Sequence, residues 1–234
     1  MLRTPFDQLA KDTWTPLLER AAVVHKEQEI ASGDPRFPVE PRYVDLLYEP
    51  DPSKLSALAP FGWVARIVGE GPGLIEFFHQ APSVDLVLSC VHKQLLHRYQ
   101  RREPQLQTAP QLWIIAAGRP NTVIERFRLE QDTTWTSGVY RCVPAVQMSL
   151  IVTSELPRTR DTLLLRILGA GRVLREAIAD LKALPPDAPE RELVLPVLVQ
   201  LGHTPRDPDL AEDEEELLSM SQEFVNQILR ESHE

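Results

Sequence analysis

Two acidic residues lie inside short apolar runs of the chain, and these runs constrain the fold more than any other feature. Asp45 lies within residues 43–48 and Glu76 within residues 73–78, and Pro or Gly bounds each run. Runs rich in β-branched and aromatic residues predict β-strands. A carboxylate inside a strand costs desolvation energy unless a partner compensates it. Neighbouring strands would bring both carboxylates to one divalent cation, and oxygen ligands suit Mg²⁺.

The rest of the pattern predicts strands flanked by helices, followed by a helical tail. Thr4 and Pro5 are typical of a helix start, so we expect a helix over residues 5–22, with a kink at Pro16. A longer helix is expected over residues 83–102, with four apolar side chains buried, namely Val84, Val87, Val91 and Leu95. Further strands are predicted at 112–116, 139–143 and 146–153, and further helices at 121–130, 159–169, 172–184, 189–201 and 213–230.

These elements predict an α/β fold with a C-terminal helical extension. We expect the α/β core over residues 1–156, the helical extension over 157–205 and an acidic amphipathic tail helix within 206–234. At 234 residues the chain can bury a sizeable core.

Residues 4–155 resemble the PD-(D/E)XK nuclease superfamily, in particular its recombination-promoting nuclease and transposase-like branch. Three pieces carry the resemblance: a first helix beginning at Phe6, the strand around Asp45 and the strand around Glu76. The resemblance implies a restriction-endonuclease-like core, a mixed central sheet flanked by helices. It also implies that Asp45 and Glu76 bind Mg²⁺ or Mn²⁺ and that the substrate is a DNA phosphodiester.

One position departs from the family pattern. The family places Lys, or in this branch often Gln, two residues after the Glu, and here that residue is Phe78. Lys93 and Gln94 on the following helix, or Lys11 on the first helix, are the candidates to replace it. His79 is expected to point to the opposite face of the strand from Phe78 and Glu76.

Lys11 has a second interpretation. Asp7 precedes it by one helical turn, so the two residues could form an ordinary i, i+4 salt bridge. In the family that the chain resembles, an acid and a Lys on the first helix approach the metal site.

The sequence therefore leaves two functions open. The first is a metal-dependent DNA phosphodiesterase in which Asp45 and Glu76 bind the metal and Lys93, Gln94 or Lys11 serves in catalysis. The second is a non-catalytic protein that keeps the nuclease fold for binding or assembly. Phe78 and the acidic tail favour the second.

The net charge of −9 is concentrated at one end of the chain. Residues 206–234 carry −8, so the remainder is nearly neutral. Two stretches are basic by count, residues 91–128 at +5 and residues 157–175 at +4. They are either ordinary solvated faces or surfaces that contact the phosphates of DNA.

The tail and the composition give the remaining expectations. The apolar residues of the tail recur at helical spacing, so the tail helix either docks on its own domain or forms a homodimer. No apolar run approaches the roughly 18 residues of a membrane span, and no signal peptide is evident at the N-terminus. The two cysteines, Cys90 and Cys142, do not indicate a disulfide framework, so a cytoplasmic location is expected.

Overall fold

The computed structural model describes residues 4–30, 42–100, 110–204 and 212–231. Its centre is a seven-stranded mixed sheet with the strand order β1-β2-β3-β4-β7-β6-β5. The strands are β1 (Ala22–Ile30), β2 (Arg42–Pro50), β3 (Gly73–Phe78), β4 (Gln111–Ala116), β5 (Glu130–Gln131), β6 (Val139–Arg141) and β7 (Met148–Val152). β3, β4 and β7 run parallel to one another, and the outer pairs are antiparallel. The expected α/β class is confirmed.

Helices cover both faces of this sheet. They are α1 (Pro5–Leu18), α2 (Trp63–Gly69), α3 (Val84–Gln100), α4 (Asn121–Arg126), α5 (Leu163–Arg166), α6 (Gly171–Ala183), α7 (Pro189–Gly202) and α8 (Glu212–Glu231). Helices α3 and α4 pack on one face, and the other six pack on the opposite face. Alternate residues of β4 point to opposite faces of the sheet. Ile114 packs with the buried residues under α3 and α4, which we call the α3 cluster. Trp113 packs with the buried residues under α1 and the other helices, which we call the α1 cluster.

Helix α1 begins as its sequence predicts. The Thr4 hydroxyl accepts a hydrogen bond from the backbone N–H of Asp7 at 3.2 Å, and Pro5 occupies the first turn. The helix continues through Pro16 and ends at Leu18, so it is shorter than expected. The predicted helix over 159–169 is also wrong in extent, because α5 has only four residues.

The C-terminal helices belong to the same core as α1. Leu174 of α6, Leu198 of α7 and Phe224 of α8 are buried in one cluster with Phe6 and Trp14. The tail helix therefore docks on its own chain, and its apolar residues Leu217, Leu218, Phe224 and Val225 are covered within that chain. The side chain of Ile228 lies outside the described residues. The tail helix consequently offers a homodimer little of the apolar face that the sequence suggested.

The buried face of α3 differs from the predicted one. Val87 is buried, but Val84 and Val91 are only half-buried and Leu95 is 53% exposed. The buried face instead runs through Cys90, Lys93, Gln94 and His97. The Lys93 ammonium pairs with groups of β2 and β3, and the Gln94 amide nitrogen donates to carbonyls just before β4 and β7. Burying these two groups therefore costs less than the hydrophobic pattern implies. Arg98 is half-buried, and Arg101 and Arg102 lie outside the described residues.

No helix in the described ranges combines the length and the apolar character that crossing a bilayer demands.

Candidate functional site

The candidate site lies where the pairing of β2 with β3 stops. The antiparallel ladder runs from Tyr48 opposite Gly73 to Leu46 opposite Ile75. Beyond this point, Oδ2 of Asp45 accepts a hydrogen bond from the backbone N–H of Phe77 at 3.0 Å. A side chain thus replaces the backbone ladder directly beside Glu76.

The backbone is irregular at the same level of the sheet. Val44 packs in the α3 cluster and Leu46 in the α1 cluster, although residues two apart on a regular strand share a face. On β1, Glu27 lies between the residues that pair with Leu46 and Val44, and its φ is +48°. A positive φ is uncommon for a residue other than glycine and often marks a functional position. Both strands are therefore distorted around Asp45.

Lys11 reaches Asp45 from the α1 layer. Its ammonium nitrogen lies 2.9 Å from Oδ1 of Asp45, 3.4 Å from Oε1 of Glu27 and 4.0 Å from Oδ2 of Asp7. The Lys11 side chain is almost fully buried. Burial alone would lower its pKa, but the attraction of Asp45, Asp7 and Glu27 together outweighs burial and raises the pKa. Lys11 is thus a cation at neutral pH, and the expected i, i+4 contact with Asp7 is the longest of its three.

Lys93 reaches Glu76 from the α3 layer. Its ammonium nitrogen lies 2.5 Å from Oε1 of Glu76 and donates a hydrogen bond to the backbone carbonyl of Tyr43 at 2.9 Å. Burial, helped by the charge of Asp45, outweighs the attraction of Lys93 and raises the pKa of Glu76 to about 7. Glu76 therefore changes charge near neutral pH, and it responds electrostatically to Asp45.

Phe78 and His79 divide between the two faces as expected. Phe78 packs in the α3 cluster. His79 stacks on Phe6 of α1, with ring centroids 4.4 Å apart. Phe78 therefore lies on the same side of the sheet as Glu76, the side covered by α3. On that side the Lys93 ammonium contacts Glu76.

Gln94 is not brought to this cluster. Its amide nitrogen donates to the backbone carbonyls of Pro110 at 2.9 Å and Gln147 at 3.0 Å, so it ties α3 to the starts of β4 and β7. Of the residues that the sequence suggested, the structure gathers Asp45, Glu76, Lys11 and Lys93 around one end of the β2–β3 pair.

The sequence interpretation missed two acids near this cluster, Glu27 and Glu214. Glu214, in the first turn of α8, accepts a hydrogen bond from the backbone N–H of Phe6 at 2.8 Å and lies 3.6 Å from Nδ1 of His79. The pKa of Asp7 is raised mainly by burial, and the charges of Asp45, Glu214 and Glu27 raise it further. No sequence pattern connects the tail helix to the first helix, so these contacts had no signal in the sequence.

The chemistry of the donor set fits a hard divalent cation. Asp7, Glu27, Asp45 and Glu76 surround two lysines, so the cluster carries a net charge of −2 when all its members are ionised. Carboxylate oxygens suit Mg²⁺ and Mn²⁺. Across the described ranges, no three His, Cys, Asp or Glu side chains are arranged to hold a metal ion. A cation bound here would have as protein ligands the pair that the sequence suggested, Asp45 and Glu76, and Mg²⁺ commonly takes its other ligands from water and phosphate.

The arginines of residues 157–175 are not free to contact phosphate, because acidic side chains pair with them. All five form ion pairs with acids: Arg158 and Arg166 with Asp180, Arg160 with Glu190, Arg172 with Glu176 and Arg175 with Glu216. In the stretch over 91–128, Lys93 pairs with Glu76 and Arg119 with Glu155. Arg126 and Arg128 are exposed and form no ion pair with the rest of the described chain. The sequence count therefore overstated the surface that could contact phosphates.

The chain matched no protein-family model, and the searches of curated proteins and of solved structures found no match either.

Proposed function

We propose that this protein is a divergent metal-dependent phosphodiesterase of the PD-(D/E)XK type, in which Lys93 replaces the missing Lys or Gln of the family pattern. One observation carries the proposal: the Lys93 ammonium lies 2.5 Å from Glu76 although Phe78 occupies the usual position. The elements that carry the resemblance support it, because a first helix, the Asp45 strand, the Glu76 strand, a long helix and a further strand occur in that order.

In this proposal each residue of the cluster has a distinct role. Asp45 and Glu76 would hold a divalent cation, which would supply a lowered pKa for bound water and charge neutralisation on the phosphate. Lys93 orients the attacking water at the α3 side of Glu76. Lys11 holds Asp45 in place, and its positive charge also attracts the phosphate. The attacking water would lose a proton to solvent as its oxygen bonds to phosphorus, the ester P–O bond would break, and the departing oxygen would take up a proton from solvent.

A specific observation also favours a second function. Both carboxylates already have a lysine ammonium at ion-pair distance, Lys11 for Asp45 and Lys93 for Glu76. These ion pairs would hold the two layers together without a metal. In that case the chain is a non-catalytic binding or assembly protein that keeps the nuclease fold.

A cleavage assay separates the two functions. Purified full-length protein is incubated with labelled single- and double-stranded DNA in Mg²⁺, in Mn²⁺ and in EDTA. We expect slow cleavage that requires the metal and is lost in both Asp45→Asn and Glu76→Gln. Asp12→Asn is the matched control, because Asp12 is also a carboxylate that pairs with a lysine, Lys26, but it lies on α1 and not on β2 or β3.

Calorimetric titration with Mn²⁺ completes the test. The phosphodiesterase requires binding by the wild type that both Asp45→Asn and Glu76→Gln weaken. Absence of both cleavage and binding would refute it and support the binding or assembly protein. Cleavage that persists in both variants would show that the activity lies elsewhere.

A further inference from the structure

Two acids of neighbouring strands lie opposite each other at the candidate site. In the β1–β2 ladder, the residues on either side of Glu27 pair with those on either side of Asp45, so the register places Glu27 opposite Asp45. Like charges directly opposite on antiparallel strands destabilise the pairing. The two carboxylates therefore need a cation beside them, and the chain supplies it from another element, α1.

That cation is the ammonium of Lys11, which contacts both carboxylates. It lies 2.9 Å from Oδ1 of Asp45 and donates a hydrogen bond to Oε1 of Glu27 at 3.4 Å. Asp7 is also near, but its closest carboxylate oxygen is 4.0 Å from the ammonium, beyond hydrogen-bond distance. Lys11 is thus shared by two acids, and Asp45 is the nearer one.

The backbone of Glu27 has a conformation that a glutamate rarely adopts. Its φ of +48° lies in the left-handed region, which the Cβ atom disfavours in every residue except glycine. Residues held in such conformations cluster at functional sites. Strand β1 is therefore distorted at the residue whose carboxylate shares Lys11 with Asp45.

Both carboxylate oxygens of Asp45 are engaged. Oδ2 accepts the backbone N–H of Phe77, and Oδ1 faces the Lys11 ammonium. A second cation on Oδ1 would stand beside that ammonium, and like charges repel strongly in a partly buried site. Binding there therefore requires the ammonium to withdraw. Glu27 can receive it, because its carboxylate is already within reach and its side chain is 44% exposed, which leaves it room to adjust.

We propose that Glu27 is a positioning residue that takes over Lys11 when another group takes up the charge of Asp45. Lys11 neutralises Asp45 in the cation-free protein and Glu27 once a divalent cation binds Asp45. The identity of that group rests on the proposed function, whereas the sharing of Lys11 does not. The ammonium stays beside the site in both positions, so its charge remains available to a phosphate.

A crystal structure of Asp45→Asn grown in EDTA tests the transfer without a metal. The substitution removes the charge of Asp45, as capture by a cation would, but keeps the size of the side chain. The Lys11 ammonium should then lie about 2.8 Å from a carboxylate oxygen of Glu27, a typical charge-assisted hydrogen bond, and farther from residue 45. An ammonium that stays beside residue 45, or that turns to Asp7 instead, would overturn the proposal.

Calorimetric titration with Mn²⁺ tests the part of Glu27 in cation binding. Glu27→Gln should weaken binding about 10-fold, because the displaced ammonium loses a charged hydrogen-bond partner. In the Lys11→Met background the same substitution should have little effect, since no ammonium then needs a partner. A Glu27 that acts only by attracting Mn²⁺ would weaken binding equally in both backgrounds, and this result would overturn the proposal.

Glu29→Gln is the matched control for Glu27→Gln. Glu29 lies on the same strand and is also exposed, but its carboxylate accepts a hydrogen bond from the Tyr43 hydroxyl at 3.3 Å. This variant should bind Mn²⁺ like the wild type, and a loss equal to that of Glu27→Gln would overturn the proposal.

The two experiments separate the role of Glu27 from the proposed function. Transfer of Lys11 to Glu27 in Asp45→Asn, together with no Mn²⁺ binding by the wild type, would support the shared lysine and refute the metal site. Mn²⁺ binding by the wild type without any transfer of Lys11 would support the metal site and refute the role of Glu27.

Discussion

The ammonium nitrogen of Lys93 lies 2.5 Å from a carboxylate oxygen of Glu76. Helix α3 thus supplies a positively charged side chain beside Glu76, whereas β3 itself has Phe78 two residues after Glu76. The same nitrogen donates to the backbone carbonyl of Tyr43 on β2. Lys93 therefore links α3 to both strands of the candidate site. This contact is the main support for the proposed phosphodiesterase, because Phe78 stands where the family that the chain resembles has Lys or Gln.

Lys93→Met tests the importance of this contact. The substitution keeps most of the side-chain volume but leaves Glu76 buried without its cation. Breaking a buried pair from one side costs about 3–5 kcal/mol, so the free energy of unfolding at pH 8 should fall by that order. Metal-dependent cleavage should fall at least about 10²-fold, as for the loss of a group that assists proton transfer.

Lys26→Met is the control for Lys93→Met. Lys26 also pairs with an acid, Asp12, at 3.0 Å, but this pair is partly exposed. Exposed pairs contribute only about 0–1 kcal/mol. Urea unfolding and the cleavage assay measure both variants. Equal effects of the two substitutions would contradict the role given to Lys93.

The titration of Glu76 predicts a pH dependence of stability in EDTA. Its pKa is raised from 4.5 to about 7 in the folded protein, so the folded state binds the proton more tightly than the unfolded state. The contribution of Glu76 to stability is therefore full below pH 4.5 and is lost as pH rises to 7. Glu76→Gln mimics the protonated form, and the glutamine amide oxygen can still accept a hydrogen bond from the Lys93 ammonium, so the buried lysine keeps a partner. The variant should match the wild type near pH 4.5 and be more stable at pH 8, by at most about 3 kcal/mol.

Denaturant unfolding of the wild type and Glu76→Gln from pH 4.5 to 8 measures this difference. Comparing the two proteins at each pH cancels the titration of other groups, since only Glu76 differs. A Glu76→Gln variant that is less stable than the wild type at pH 8 would show that the ion pair with Lys93 outweighs the burial of Glu76.

The sequence predicted the neighbouring strands of Asp45 and Glu76 better than it predicted the surfaces. Asp45 and Glu76 were found because an acid inside an apolar strand conflicts with its surroundings and so needs a partner. The starts of α1 and α3 also followed from local patterns, whereas the mixed sheet was expected only from the family resemblance. The sequence offered three candidate partners for Glu76, namely Lys93, Gln94 and Lys11, but could not select one. Lys93 and Gln94 are adjacent, so which of them faces Glu76 depends on how α3 is rotated about its axis.

That rotation also explains the main error. Hydrophobic periodicity placed Leu95 inside, but Leu95 is exposed and Gln94 is buried. The carbonyls of Pro110 and Gln147 satisfy the Gln94 amide, and a sequence pattern cannot reveal partners so far along the chain. The arginines of 157–175 were overcounted for the same reason, because acids of α6, α7 and α8 neutralise them.

Glu214 should stabilise the fold through contacts that join both ends of the chain. It is buried, caps the start of α1 through the backbone N–H of Phe6 and approaches His79. Loss of a capping carboxylate costs about 0.5–2 kcal/mol, so Glu214→Ala should lower the free energy of unfolding by this amount. Thermal unfolding measures the effect.

Glu215→Ala is the matched control for Glu214. Glu215 is the next residue in the first turn of α8, carries the same charge and is exposed. An exposed substitution usually changes stability by less than about 0.5 kcal/mol. Similar losses in the two variants would mean that the charge at the start of α8 matters, whereas the contact with α1 does not.

Arg126 and Arg128 should contribute to DNA binding, whereas the arginines of 157–175 should contribute little. Both are exposed, and no acid in the described chain pairs with them. Arg172 is exposed too, but it pairs with Glu176 at 2.9 Å. A cation that contacts phosphate releases counterions, so removing one lowers the salt dependence of log K by about 0.9 for duplex DNA. Fluorescence anisotropy over a range of salt concentrations should therefore show a shallower slope for Arg126→Ala and Arg128→Ala and an unchanged slope for Arg172→Ala. Equal changes of the slope in all three variants would show that the ion pairs do not keep the arginines of residues 157–175 from contacting phosphate. Residues 157–175 would then again be a candidate DNA-binding surface.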